Sequence, residues 1–454
     1  MSRIINGRIS VLARRATERT LNTVLRSGVP LLIVVSPPGA GKTSLVLDLI
    51  AVAVLHAGLR VAVITPRVQQ THDLFRRLVL EHSSVPVQLL KATESDLPED
   101  IEWSLGAGVL PPAEHVRNLS RRPGVVIGTA EKFLVSALSF EDQHFDLLVC
   151  DEAYQLAYKD LAPLFRIAGQ TVTVGDPGQL MPLVKANTAY FEAARYKMHW
   201  PAPREILRRF PNVPTVKLPA SWRLPQDSVG LVQPSLYTNL EFVSAARDDD
   251  RRVEFRAAGI NAPIDKALDM LARGATIVGI LLPATELPTE HVDEELSALQ
   301  SAIVRRLFER GGVWKGQRDL SVADIGCVDS HVASSAATER YMRLEGFSTE
   351  ELMVSTPEVW QGSQRPLMIV KNPVSGVKRL DAFSLDPGRL CVMLSRHQLG
   401  CIVVGRDGFT GALEAHQHDC ANRFMGAADI DWKGWQAHSR IWTELERMGR
   451  FVRM

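Results

Sequence analysis

"SPPGAGKTS", residues 36–44, is the stretch whose reading decides what kind of chain this is. It follows the apolar run "LLIVVS" (31–36) and leads into "LVLDLIAVAVL" (45–55), a buried-helix pattern broken only by Asp48. A strand, a glycine-rich loop and a helix in that order form a cradle for phosphate groups. Within Pro38-Gly39-Ala40-Gly41-Lys42-Thr43-Ser44, the two glycines let backbone N–H groups come close to phosphate oxygens. Lys42 is placed to reach the β and γ oxygens, and the Thr43 hydroxyl to ligate Mg²⁺. Ser36 stands where a first glycine is usual.

Further short apolar runs extend the pattern: "VAVITP" (61–66), "VVIGTA" (125–130), "DLLVCDE" (146–152) and "TVTVGD" (171–176). Each ends in small or polar residues, as strands buried on both faces of a parallel sheet do. Chemistry in such sheets gathers at the carboxyl ends of the strands. There Asp151 can orient Mg²⁺, and the adjacent Glu152 can polarise an attacking water. Buried acids with no cation at such a place would be costly. After the charged break "SAARDDDRR" (244–252) the pattern restarts with "VEFRAA" (253–258), "ATIVGILLP" (275–283), "VADIGCVDS" (322–330), "LMIVKN" (367–372) and "CIVVG" (401–405). The expected organisation is α/β throughout. A first domain covers 1–243 with a short insertion at about 85–123, a second covers 253–415, and a helical tail covers 416–454.

The chain's 454 residues suit two to four domains. With 46% hydrophobic and 23% charged residues, the composition is that of an ordinary globular protein. No apolar run is long enough to span a membrane, and the N-terminus lacks a secretory core. Five scattered cysteines with no Cys-x-x-Cys point to reduced thiols, a cytoplasmic setting and no zinc or iron–sulfur centre. His416, His418 and Cys420 lack partners at finger spacing and read as a surface cluster. Lysine plus arginine (52) balances aspartate plus glutamate (51), which leaves nucleic-acid binding to a local basic channel. The six arginines of residues 1–30 fit a solvated helix face or a phosphate-tracking arm equally well.

Six ordered blocks go further: "DEAYQL" (151–156), "VGDPGQLMPLV" (174–184), "LPASWRLP" (218–225), "IGCVDSHVASSAA" (325–337), "STPEVWQGSQ" (355–364) and "DPGRLCVMLSRHQLGCIVVG" (386–405). In order and spacing they resemble the motifs of superfamily 1 helicases, in the branch of the nonsense-mediated-decay helicase. That pattern is D-E-A-x-Q, G-D-x-x-Q-L-x-P, Q-Y-R-M, I-G-I-I-x-P-Y, V-D-x-F-Q-G-x-E and R-L-N-V-A-L-T-R-A. "QPSLYTNLEF" (233–242) is similar to the family's segment closing the first domain. The resemblance implies two RecA-like P-loop NTPase domains with parallel sheets and minimal accessory insertions, holding ATP with Mg²⁺ between them. It makes Lys42, Glu152, Gln179, Arg223 and Arg396 the catalytic set, with Gln179 sensing the γ-phosphate and Arg396 acting as a finger. Gly362 and Gln364 join the loop in holding nucleotide, Gln364 being neutral where the family has glutamate. Thr43 and Asp151 take the metal. Thr65, Pro66, Thr129, His331 and Thr356 fall where relatives touch the strand, with Val68 replacing a usual asparagine. Trp222 and Trp360 fit either base stacking or core packing. Any one arginine alone would read as a surface ion pair.

The function so implied is an ATP-dependent translocase or helicase on single-stranded DNA or RNA, moving 5′ to 3′. The alternative is an ATP-gated switch for a protein partner such as a nuclease, in repair or defence. A loading partner is expected, and a membrane is not. Relatives carry an adenine-reading glutamine upstream of the loop. Residues 1–68 contain no glutamine, and Thr17 takes its place, with Asn6 and Asn22 as substitutes.

Overall fold

The computed structural model describes residues 2–93, 96–103, 108–140, 144–182, 191, 194–246, 250–285, 291–377, 379–421 and 428–454. The chain divides into two compact units. The N-terminal unit is Gly7–Pro177 with Met181–Pro219, and the C-terminal unit is Ala220–Met454 with Met1–Asn6 and Gly178–Leu180. No helix among the described residues is long and apolar enough to cross a membrane.

The apolar runs of the N-terminal unit become β1 (Leu31–Val35), β2 (Arg60–Thr65), β3 (Val87–Leu90), β4 (Gly124–Thr129), β5 (Phe145–Cys150), β6 (Ala168–Gly175) and β7 (Thr215–Lys217). They form one parallel sheet in the order β3-β4-β2-β5-β6-β1-β7. Strand β6 therefore separates the strand that feeds the phosphate loop from the strand that ends in Asp151-Glu152. The pairings Val35↔Gly175, Cys150↔Thr173, Ile64↔Cys150 and Thr65↔Thr129 align the carboxyl ends on one edge. Leu32, Val34, Val63, Val149 and Val174 are sealed in the core with Val46 and Ile50 of the helix Lys42–Leu55. Strand β3 lies in the stretch where the sequence suggests an insertion (85–123), and it extends the main sheet.

The C-terminal unit contains a short parallel pair, β8 (Ala220–Ser221) and β9 (Val243–Ser244). Strands β10 (Val253–Phe255), β12 (Gly312–Trp314) and β13 (Arg318–Asp319) form a small antiparallel sheet, so "VEFRAA" stays outside the main one. The main sheet contains β11 (Ile277–Leu282), β14 (Ile325–Val328), β15 (Met353–Ser355), β16 (Arg365–Lys371), β17 (His397–Arg406) and β18 (Phe451–Arg453). Its order is β15-β14-β16-β17-β11-β18, and all of it is parallel. The tail is helical at Phe409–Ala421 and Ala428–Arg447, then adds β18 to the sheet beside β11. Trp360 is core: it is fully buried, and a Cβ at Gly326 would come within 2.2 Å of its ring. Trp222 is 42% exposed, which excludes core packing for it. His416 is buried, unlike a surface cluster member, while the side chains of His418 and Cys420 lie outside the described residues. No group of metal-binding side chains was found among the described residues.

Candidate functional site

In the N-terminal unit the phosphate loop leaves β1 at Ser36. The Ser36 N–H and hydroxyl both donate to the Gly175 carbonyl, at 2.9 and 3.2 Å, which fixes the loop to the end of β6. A glycine there could make only the first of these bonds. Gly39 and Gly41 have φ of 68° and 82°, a left-handed backbone that favours glycine. Pro38 is buried and Ala40 half-buried. Lys42 opens the helix, and its ammonium meets both carboxylate oxygens of Glu152, at 2.9 and 3.0 Å. The two side chains are 10% and 14% exposed. Glu152 itself has φ 52° and ψ 39°, left-handed for a residue with a Cβ, which stores about 1 to 3 kcal/mol of backbone strain.

Asp151 is buried at the end of β5, and its Oδ1 accepts the Glu152 N–H at 2.9 Å. Burial first, and then the charge of Glu152, push its carboxyl up to about 7, with Lys42 pulling the other way. Thr43 is half-buried in the first helical turn, and Ser44 is exposed. Arg77, from the helix Val68–Glu81, donates to the Ser44 hydroxyl at 3.2 Å, a contact that no local pattern in the sequence marks.

Two residues expected to touch a strand have internal partners. Thr65 is buried, with its hydroxyl 2.6 Å from that of Thr71 and donating to the Arg67 carbonyl at 3.1 Å. Thr129 caps the next helix by accepting the Lys132 N–H at 3.2 Å. Pro66 remains half-buried beside them. Thr17 spends its hydroxyl on the Ala13 carbonyl of its own helix at 3.3 Å.

The C-terminal unit gathers a second set. Gln179 is buried, and Gly388 lies so near that a Cβ there would come within 2.9 Å of the Gln179 carbonyl oxygen. Arg223 donates from Nε to the Gln364 side-chain oxygen at 2.6 Å and from Nη1 to the Ser395 carbonyl at 3.1 Å. This brings three of the motif blocks together around residue 395. Arg396 is 1% exposed, and its Nε and Nη2 have no hydrogen-bond partner among the described residues. Burying a guanidinium with open donors costs free energy. Gly362 is exposed with φ 86°, and Gln364 is exposed. His331 stacks on Phe383, with ring centroids 4.8 Å apart, and meets His291 edge-on. Arg389 lies over the same Phe383 ring at 3.8 Å and pairs with Glu358. Thr356 is half-buried, and its carbonyl accepts the Val359 N–H.

Residues 15–208 match the family described as AAA domain, a P-loop family, over less than half of the chain. No curated protein matches the sequence. Similar solved structures include the PRRSV helicase, at 14% identity and TM-score 0.40 over 87% of this chain and 54% of that one. Arterivirus nonstructural protein 10 (helicase) with DNA is 12% identical, TM-score 0.42, over 86% of this chain and 65% of that one. A variant of S. cerevisiae Dbp5 bound to RNA and ADP BeF3 is 13% identical, TM-score 0.40, over 89% and 86%. The chain thus spans between about half and two thirds of the first two of these chains. Loop geometry and the family match agree on a nucleotide-binding P-loop domain in the N-terminal unit.

Proposed function

We propose that the chain hydrolyses ATP and uses the cycle to move along single-stranded nucleic acid, 5′ to 3′. The observation that carries this reading is the Lys42–Glu152 pair at the mouth of the phosphate loop. A γ-phosphate is the ligand that competes for that ammonium. When it takes Lys42, Glu152 is released with its carboxylate free to accept a proton from the attacking water. Oxygen donors suit Mg²⁺, and Asp151, a buried carboxyl crowded by a second acid, fits a cation shared with Thr43. Such a cation would neutralise charge on the β and γ oxygens. Arg396, with Arg223 holding the backbone before it, is the candidate to stabilise charge on the transferring phosphoryl group. Gln179, Gly362 and Gln364 complete the nucleotide set. Pro66, His331 and Thr356, with the loops that Thr65 and Thr129 shape, are the candidate strand contacts. Few accessory segments accompany this core, so strand displacement should need a partner or a loading tail.

The test is ATPase turnover with single-stranded DNA, single-stranded RNA and duplex, titrated with salt. Stimulation by single strands that fades as salt rises is expected. Turnover indifferent to every nucleic acid would favour a switch for a protein partner instead.

A further inference from the structure

Ser395, Arg396 and His397 are consecutive, and each is held by a different part of the C-terminal unit. Arg223 donates to the Ser395 carbonyl at 3.1 Å, and the Arg365 N–H donates to the Arg396 carbonyl at 3.0 Å. His397 is held through its ring, whose Nε2 lies 2.6 Å from the Ser228 hydroxyl. That hydroxyl lies 2.6 Å from the hydroxyl of Thr276. The Thr276 hydroxyl donates to Asp227 Oδ2 at 2.7 Å, and the Thr276 N–H donates to the same oxygen at 2.8 Å. Arg450 closes the relay with two bonds to the Asp227 carboxylate, at 2.7 and 2.5 Å. Every one of these residues belongs to the C-terminal unit.

The carboxylate sets the order of the protons. Burial would raise the Asp227 carboxyl, but the bonds from Arg450 and Thr276 outweigh burial and hold it below its usual value. An ionised carboxylate only accepts. The Thr276 proton is therefore spent on Asp227, the Ser228 proton on Thr276, and the Ser228 oxygen accepts from His397 Nε2–H. Thr276, Ser228 and His397 are all buried, where such bonds are strong and polarise one another. Tautomer and ring orientation at His397 are thus dictated from Asp227.

The relay joins three elements. Asp227 and Ser228 lie in the first turn of the helix Gln226–Leu236, which begins just after Arg223. Thr276 precedes β11, and His397 opens β17. Arg450 comes from the tail, where its N–H donates to the Leu445 carbonyl and its carbonyl accepts the Gly279 N–H of β11, both at 2.9 Å. A buried polar network that served stability alone could be exchanged for apolar side chains at little loss. This one has a fixed direction and ends on the neighbour of Arg396. We propose that the relay Arg450–Asp227–Thr276–Ser228–His397 positions Arg396, and that this is a role of the C-terminal tail. It rests on the reading of Arg396 as the group that stabilises the transferring phosphoryl.

The experiment measures kcat for ATP and affinity for a fluorescent ATP analogue on the full chain, well below the melting temperature of each variant. Arg450→Ala and Ser228→Ala should each lower kcat by roughly tenfold to a hundredfold, the scale for a reacting group displaced by about 1 Å, with affinity unchanged. Arg450→Lys keeps the charge and loses the two-pronged contact, so it should restore part of the loss. In an Arg396→Ala background, Arg450→Ala should cost no further kcat, because both changes remove one contribution. If the wild type hydrolyses no ATP, the proposed function fails and takes the relay's role with it. If Arg396→Ala keeps full kcat, the reading of that arginine fails and the relay's role with it. If Arg396→Ala loses kcat while the folded Arg450→Ala and Ser228→Ala chains keep theirs, the relay is structural and the proposed function stands. An equal further loss from Arg450→Ala in the Arg396→Ala background would also overturn the proposal.

Discussion

Each unit places a lysine against an acid at the carboxyl edge of a parallel sheet, and the two pairs are built differently. In the C-terminal unit Lys371, at the end of β16, meets Asp329, just after β14, at 3.3 Å. Its ammonium also donates to the Ser297, Ser334 and Thr338 hydroxyls at 2.7, 2.7 and 3.2 Å. Both side chains are sealed, at 7% and 0% exposure. In the N-terminal unit Lys42 has Glu152 and no other partner among the described residues, and that glutamate is held in a strained backbone conformation. A lysine whose hydrogens all have fixed acceptors serves the fold. A lysine with spare donors, facing a strained acid at a glycine-rich loop, is arranged to exchange that acid for a ligand. On the proposed reading, this difference marks Lys42–Glu152 as the working pair and Lys371–Asp329 as the structural one, without reference to motif names.

The sharpest way to break it is to remove each lysine. Lys42→Ala should abolish measurable binding of ATP, read by equilibrium titration with a fluorescent analogue, in a chain that still folds. In the same assay series Arg396→Ala should lower kcat by roughly 10³ with little change in ATP affinity. An unchanged kcat would take that buried arginine out of the reaction. Lys371→Ala should do the reverse of Lys42→Ala. It should cost about 3 to 5 kcal/mol of stability in denaturant, the scale for breaking a buried ion pair. ATP affinity should be unchanged where the variant is folded.

A smaller effect concerns pH. His397 and His438 are fully buried in the C-terminal unit, and burial holds each down to about 3, with the Arg223 charge adding to the effect at His397. Both stay neutral in the folded chain and take a proton on unfolding below about 6.5. Stability is therefore lost as pH falls from 6.5 toward 3, by about 1.4 kcal/mol per pH unit for each histidine. Denaturant midpoints for the wild type and His438→Gln should diverge at pH 7 and converge as the buffer is acidified to pH 5. The smallest effect concerns the base. With Thr17 spent on its own helix, discrimination should be weak, and kcat/KM for ATP should exceed that for GTP by roughly tenfold or less. A preference of several hundredfold would assign adenine reading to Asn22.

The loop and the strand-end acids of the candidate site were legible in the sequence because their signals are local. A loop between a strand and a helix, and two acids ending an apolar run, need no long-range information. The continuous runs of β1, β2, β4, β5 and β6 read as strands for the same reason. What stayed hidden depends on pairing across the fold. Strand β3 has four residues and β18 has three, too short to show a period, and only their neighbours make them strands. "VEFRAA" looked like a sheet strand but pairs antiparallel with β12 instead. Trp222 and Trp360 sit in equivalent-looking motif positions, and burial alone tells them apart. The Lys371–Asp329 cluster draws on residues up to 74 positions apart.

The most direct test of the account is Glu152→Gln, assayed for ATP binding and for single-turnover hydrolysis on one preparation. The amide keeps the shape and removes the base, and it loosens the charge on Lys42. Binding should be retained or tightened while hydrolysis is lost. Near-normal hydrolysis by this variant would contradict the assignment of the Lys42–Glu152 pair as the working one.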